Sequence, residues 1–279
     1  MKKLVFSLVF LSFLFSASPV DAQTDVMEEY WRNTDFTDTT LISNETFSEQ
    51  LVGFLYKFTD ADEKAFDSLT INGLGFVLGK AKANMRVYEF VLEYALNGYT
   101  GMGRSKVTDY LLNYPQLAEG EITMEEGLRL DSITEPYQKI RVGAKAPDFS
   151  GVAIDDKPYC ISDSKAKHII VVFWSTDCEY CHDFLKQIRR HLNLKSDFEL
   201  LTFALAESQA EVSQTIKKMR LPGYHFYDSL RWESKAFLDY HITSTPTVFV
   251  LDADKTIVCK PYDWEELREW LYENPSFME

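Results

Sequence analysis

The stretch HIIVVFWSTDCEYCHDFLKQI, residues 168–188, constrains this chain more than any other. HIIVVFW (His168 to Trp174) reads as a continuous apolar run with β-branched residues, the pattern of a strand buried on both faces. Cys181, Leu185, Ile188 and Leu192 then recur at helical spacing, so a helix begins at or near Cys178. FELLTFAL (Phe198–Leu205) reads as a second buried strand, and QAEVSQTIKKMR as a polar helix after it. TVFVLDADKTIVC (Thr247–Cys259) reads as two strands joined by a turn at Asp252–Lys255. DWEELREWLYE closes the region as a helix capped by Asp263, with Trp264, Leu267, Trp270 and Leu271 facing inward. Strands alternating with helices predict an α/β sandwich around a mixed sheet.

The part of the chain before this region has a different rhythm. From about Asp25 to Ile140 the apolar residues recur at helical spacing: Phe47, Leu51, Phe54, Leu55 and Phe58 share one face, as do Val87, Phe90, Val91 and Tyr94. Asn44, ahead of Glu45, Thr46 and Phe47, offers a helix start. GLGFVLG (Gly73, Gly75, Gly79) follows no predicted strand and lacks dinucleotide-binding spacing. At the N-terminus, Lys2 and Lys3 precede a short apolar run, Leu4 to Phe15, and Val20 and Ala22 supply the small residues of a cleavage site. Residues 1–22 are therefore expected to be a signal peptide, 23–141 a mostly α-helical accessory domain and 142–279 the α/β domain. Export, with a periplasmic destination, follows as an expectation. The formal charge of −14 repels phosphate backbones, which argues against nucleic acid as a partner.

The chemistry rests on the cysteines. There are four, Cys160, Cys178, Cys181 and Cys259, too few to staple a scaffold of 279 residues. CEYCH admits two readings: Cys178, Cys181 and His182 spell a c-type haem attachment site, and the two cysteines alone spell a redox dithiol. A helix start favours a thiolate at Cys178, because unpaired backbone N–H groups and the positive end of the helix dipole face it. Cys181, one turn later and more buried, is placed to resolve a mixed disulfide formed by Cys178. Haem attachment is the weaker reading, since the motif is joined to a buried strand, and His182 is then expected to point to solvent. No cofactor beyond the Cys178–Cys181 disulfide is implied, and no metal site.

VGAKAPDFSGVAIDDKPYCISDSKAKHIIVVFWSTDCEYC resembles the start of a thioredoxin-like domain of the exported type. That type includes cytochrome-maturation reductases and relatives of alkyl hydroperoxide reductase and the thiol-specific antioxidant proteins. The resemblance rests on APDF, the short DDKPYCIS hairpin, the FW strand end, the C-x-x-C, and STPTVFVLD (Ser244–Asp252), which resembles the family's cis-proline loop. It implies a thioredoxin-like mixed sheet flanked by helices, and catalytic roles for Cys178 and Cys181. It also implies substrate binding by Thr245, Pro246 and Trp174, protein or peptide disulfides as substrates, and an upstream membrane electron donor. EEYWRNTDFTDTTLI loosely resembles helical domains that precede such domains in Gram-negative envelope proteins, without implying an activity.

The chain departs from that pattern in its charges. Asp177 stands where the family carries Trp, Val172 where thioredoxin has a buried carboxylate, and Phe184 where exported reductases have an acidic residue. Asp177 and Glu179, with Asp183, instead place negative charge at the site, which opposes a thiolate and favours a reducing couple. Cys160 and Cys259 are expected in strands at opposite edges of the sheet as unpaired thiols. The competing functional class is a non-catalytic envelope binding protein on a thioredoxin scaffold.

Overall fold

The computed structural model describes residues 26–58, 63–113, 122–192 and 198–275. The expected signal peptide lies outside them. Among the described residues no helix is long and apolar enough to cross a membrane.

The first half is helical, as its periodicity predicts. A short helix α1 (26–31) precedes α2 (Glu45–Leu55), α3 (Glu63–Ala81), α4 (Met85–Gly101), α5 (Ser105–Asn113) and α6 (Met124–Lys139). The Asn44 side chain accepts from the amides of Thr46 (2.9 Å) and Phe47 (3.4 Å), satisfying two of the donors that a helix start leaves unpaired. Thr123 and Glu126 form a capping box on α6. Helix α4 runs through the centre, burying Val87, Val91, Leu92, Ala95, Leu96 and Tyr99. GLGFVLG lies within α3 and forms no nucleotide loop.

The second half is an open mixed sheet. Its strands are β3 (His168–Ser175), β4 (Phe198–Leu205), β5 (Tyr224–Tyr227), β6 (Thr247–Leu251) and β7 (Ile257–Cys259), in the order β5-β4-β3-β6-β7. Before them, β1 (Ser150–Val152) and β2 (Pro158–Cys160) form a separate hairpin with Ser150 opposite Cys160. β3 pairs in parallel with β4 and antiparallel with β6, so it is hydrogen-bonded on both edges. Its side chains divide by parity. Ile170, Val172 and Trp174 pack under α7 (Glu179–His191), α8 (Gln209–Met219) and α10 (Trp264–Glu273). Ile169, Val171 and Phe173 pack on the opposite face with the hairpin residues Tyr159 and Ile161 and with Phe237 of the short helix α9 (Lys235–Asp239).

β5 has no counterpart in the sequence reading. It is a four-residue edge strand, and its buried His225 looks polar in the sequence. In the fold, His225 Nδ1 bonds the Thr202 hydroxyl at 2.8 Å and Nε2 the Leu221 carbonyl at 3.2 Å. Cys160 also departs from expectation, lying on the β1–β2 hairpin rather than at an edge of the main sheet.

The two halves meet along a continuous junction. Tyr137 of α6 sets its ring edge-on to His241, centroids 4.5 Å apart, while its hydroxyl donates to Asn97 at 2.8 Å. Ile140, just past α6, is already buried in the sheet's core. The turn between α4 and α5 packs on Tyr262, where a Cβ at Gly103 (φ 67°) would lie 2.5 Å from the Tyr262 Cβ. Only glycine fits that close, left-handed position.

Phe173 tests the sheet's core. It is fully buried, stacked on Phe203 at 4.9 Å and edge-on to Phe237 at 5.0 Å. Phe173→Ala is expected to cost about 3–5 kcal/mol, read as a fall in the urea unfolding midpoint. A loss below about 1 kcal/mol would place this ring outside the working core.

Candidate redox site

The site forms where β3 ends and α7 begins. Cys178 is the N-cap of α7, with extended backbone (φ −95°, ψ 108°), and its sulfur accepts from the Cys181 amide at 3.1 Å. A sulfur therefore occupies the place usually taken by a capping oxygen, at the positive end of the helix. Cys178 and Cys181 are joined by a disulfide, Cα atoms 5.2 Å apart. Their exposures differ: Cys178 is half-buried, and Cys181 is fully buried in the core under α7. An incoming group meets Cys178.

The loop before β6 faces this sulfur. The Thr245 carbonyl lies 3.8 Å from Cys178 Sγ, and the Thr245–Pro246 bond is cis. Ser244, Thr245 and Pro246 are all half-buried, and the Thr247 hydroxyl donates to the Ser244 carbonyl at 2.7 Å. The structure thus brings Cys178, Cys181, Thr245 and Pro246 together.

Trp174 is placed differently from the sequence expectation. It is fully buried, on the β3 face that packs under α7, so it forms the floor of the site and cannot line a substrate surface. Its parity with Ile170 and Val172 carries that signal. His182, expected to point to solvent, is half-buried with its ring 5.9 Å from Trp174. Asp177 and Glu179 are exposed on either side of Cys178 in the chain, and Tyr180, between the two cysteines, is 84% exposed. Asp183 is engaged by Lys186 at 2.8 Å, which holds its carboxyl below the usual range. Among the described residues no group of three or more His, Cys, Asp or Glu side chains is placed to hold a metal ion.

The other two cysteines are free thiols in opposite environments. Hydrogen bonds with the hydroxyls of Ser150 (3.2 Å) and Ser162 (3.1 Å) hold the Cys160 thiol below its usual range. Burial, with a contribution from the Glu266 charge, pushes Cys259 up to about 12. The hydroxyls around Cys160 come from the β1–β2 pairing register and from a turn, so no local motif announces them.

Residues 142–260 match the AhpC/TSA family. Over 114 residues the chain is 26% identical to the thioredoxin-like protein YneN of Bacillus subtilis, covering 40% of this chain and 66% of that protein. Over 126 residues it is 24% identical to the thiol-disulfide oxidoreductase ResA of Bacillus cereus, covering 44% of this chain and 70% of that one. The chain therefore spans about two thirds of the length of these relatives. A thioredoxin-like protein from Bacteroides caccae has the same fold over both halves: TM-score 0.57 at 16% identity, covering 98% of this chain and 99% of that one.

The contrast between the free thiols is testable. In the native oxidised protein, one thiol is expected to react quickly with Ellman's reagent at mildly alkaline pH, and Cys160→Ser should abolish that reaction. Cys259 should react only after denaturation, because thiolate is the reactive form and burial suppresses it. Fast reaction of both thiols in the native state would contradict this assignment.

The second half of the chain is a thioredoxin-like domain whose residues 142–260 match the AhpC/TSA family, and a helical domain precedes it.

Proposed function

We propose that this protein is an exported thiol–disulfide oxidoreductase that reduces disulfides in protein or peptide substrates. The carrying observation is the asymmetry of the pair: a half-buried sulfur at a helix N-cap, bonded to a fully buried one, beside the Thr245 backbone carbonyl. In the reduced protein, Cys178 as thiolate attacks one sulfur of the substrate disulfide. A Cys178–substrate bond forms as the substrate S–S bond breaks, and the departing thiolate takes up a proton. Cys181, deprotonated in turn, attacks the Cys178 sulfur, which releases the second substrate thiol and leaves the Cys178–Cys181 disulfide. Two electrons have passed to the substrate, and a dithiol donor, in our reading one at the membrane, restores the pair. Thr245 and Pro246 form the edge along which a substrate peptide lies, with the Thr245 carbonyl available to a peptide N–H.

The direction of electron flow follows from the exposed carboxylates. Asp177 and Glu179 oppose the thiolate, so they raise the free energy of the reduced pair and lower its potential. We therefore assign the protein as a reductant, with a potential nearer ~−270 mV than the ~−120 mV of a strong oxidant. The basic and apolar composition of residues 1–22 supports export to the periplasm.

Two measurements check this. Insulin-disulfide reduction should fall to the uncatalysed rate in Cys178→Ala, whereas Cys181→Ala should accumulate a mixed disulfide on Cys178. Equal rates for wild type and Cys178→Ala would leave only a binding role on this scaffold. Separately, Asp177→Asn with Glu179→Gln should raise the potential by less than about 30 mV, since screened surface charges contribute about 1 kcal/mol or less. A fall in potential would reverse the assigned role of these charges.

A further inference from the structure

The helical half reaches the candidate site. Gly101, the last residue of α4, faces Ser244: a Cβ there would lie 3.9 Å from the Ser244 hydroxyl, with no other atom within 4 Å. Ser244 immediately precedes Thr245, whose carbonyl touches Cys178 Sγ at 3.8 Å. Gly101 is thus linked to the sulfur through two successive residues of this loop, Ser244 and Thr245. Two residues on, Gly103 is pressed against Tyr262. Further along the junction, Tyr137 packs on His241, three residues before Ser244. The helical domain is therefore anchored on both sides of the loop that carries Thr245 and Pro246.

This placement has a chemical consequence. A substrate lying along Ser244–Pro246 must pass the turn at Gly101–Gly103, which has no side chain at the two positions nearest the loop and the Tyr262 wall. We infer that this turn is the specificity-determining wall of the dithiol site and that Gly101 keeps the path beside Ser244 open for an extended, disulfide-bearing peptide segment. The inference rests on Cys178 being the attacking sulfur. On this inference the turn obstructs a broad folded surface that approaches Cys178 along the loop and admits a narrow, flexible segment. Selection then operates by steric exclusion as well as by attraction.

The test is Gly101→Trp, with Gly101→Leu as the smaller substitution should the larger one fail to fold. In each reduced variant, two rates at Cys178 are compared: alkylation by iodoacetamide, and thiol exchange with a disulfide-linked extended peptide. The peptide rate is expected to fall roughly tenfold or more relative to the iodoacetamide rate, the signature of a clash that only the longer partner meets. If both rates stay at wild-type values, or both fall in parallel, the turn is not a selective wall. Both reactions are stoichiometric and need no turnover. A shifted ratio in the variants, with a wild type that fails to reduce insulin, would keep the wall and sink the catalytic reading. Catalysis with an unshifted ratio would do the reverse.

Discussion

The burial of β3 on both faces and along both edges governs the rest of the structure. Ile169 to Trp174 are fully shielded from solvent, with β4 paired on one edge and β6 on the other. A strand held in this way has a fixed end, so the turn after Ser175 delivers Cys178 to one place at the start of α7. The Thr245 loop is fixed by the same strand, because β6 begins at Thr247 opposite Phe173. The two parts of the dithiol site are thus registered on one strand.

The helix start adds chemistry to that geometry. A cap normally uses an oxygen to satisfy the first amides of a helix, and here the sulfur of Cys178 accepts from Cys181. The same atom that closes the helix is the half-buried, outer sulfur of the pair. The buried partner below it rests on Trp174 and α7 rather than on solvent. Val172 and Phe184 give the buried side apolar contact, while Asp177 and Glu179 place carboxylates on the exposed side.

Much of this is legible in the chain. The apolar runs of β3, β4 and β6, the cap at Asp263 and the C-x-x-C at a strand end each carry a local signal. Each appears where its pattern predicts, because a buried element has little choice of residue. The failures have local causes too. β5 stays hidden because four residues give no alternation to read, and because the Thr202 hydroxyl and Leu221 carbonyl make a buried histidine acceptable. Resemblance assigns Trp174 to the substrate surface, whereas its parity with Val172 already places it inward. The neighbours of Cys160 come from strand register and a turn, and the approach of Gly101 to Ser244 joins residues far apart in sequence, so no window of the chain displays either. Contacts of this kind are set by assembly.

The exit of α6 has a mechanical consequence. Tyr137 belongs to the helical core and Ile140, only three residues later, to the core of the sheet. Three residues span at most ~11 Å even when fully extended, so neither anchor can leave its pocket without straining the other. The junction lacks the slack of a hinge. A tether this short leaves the helical half little room to swing against the sheet, so its placement over the Thr245 loop is set by the chain itself rather than by side-chain contact alone.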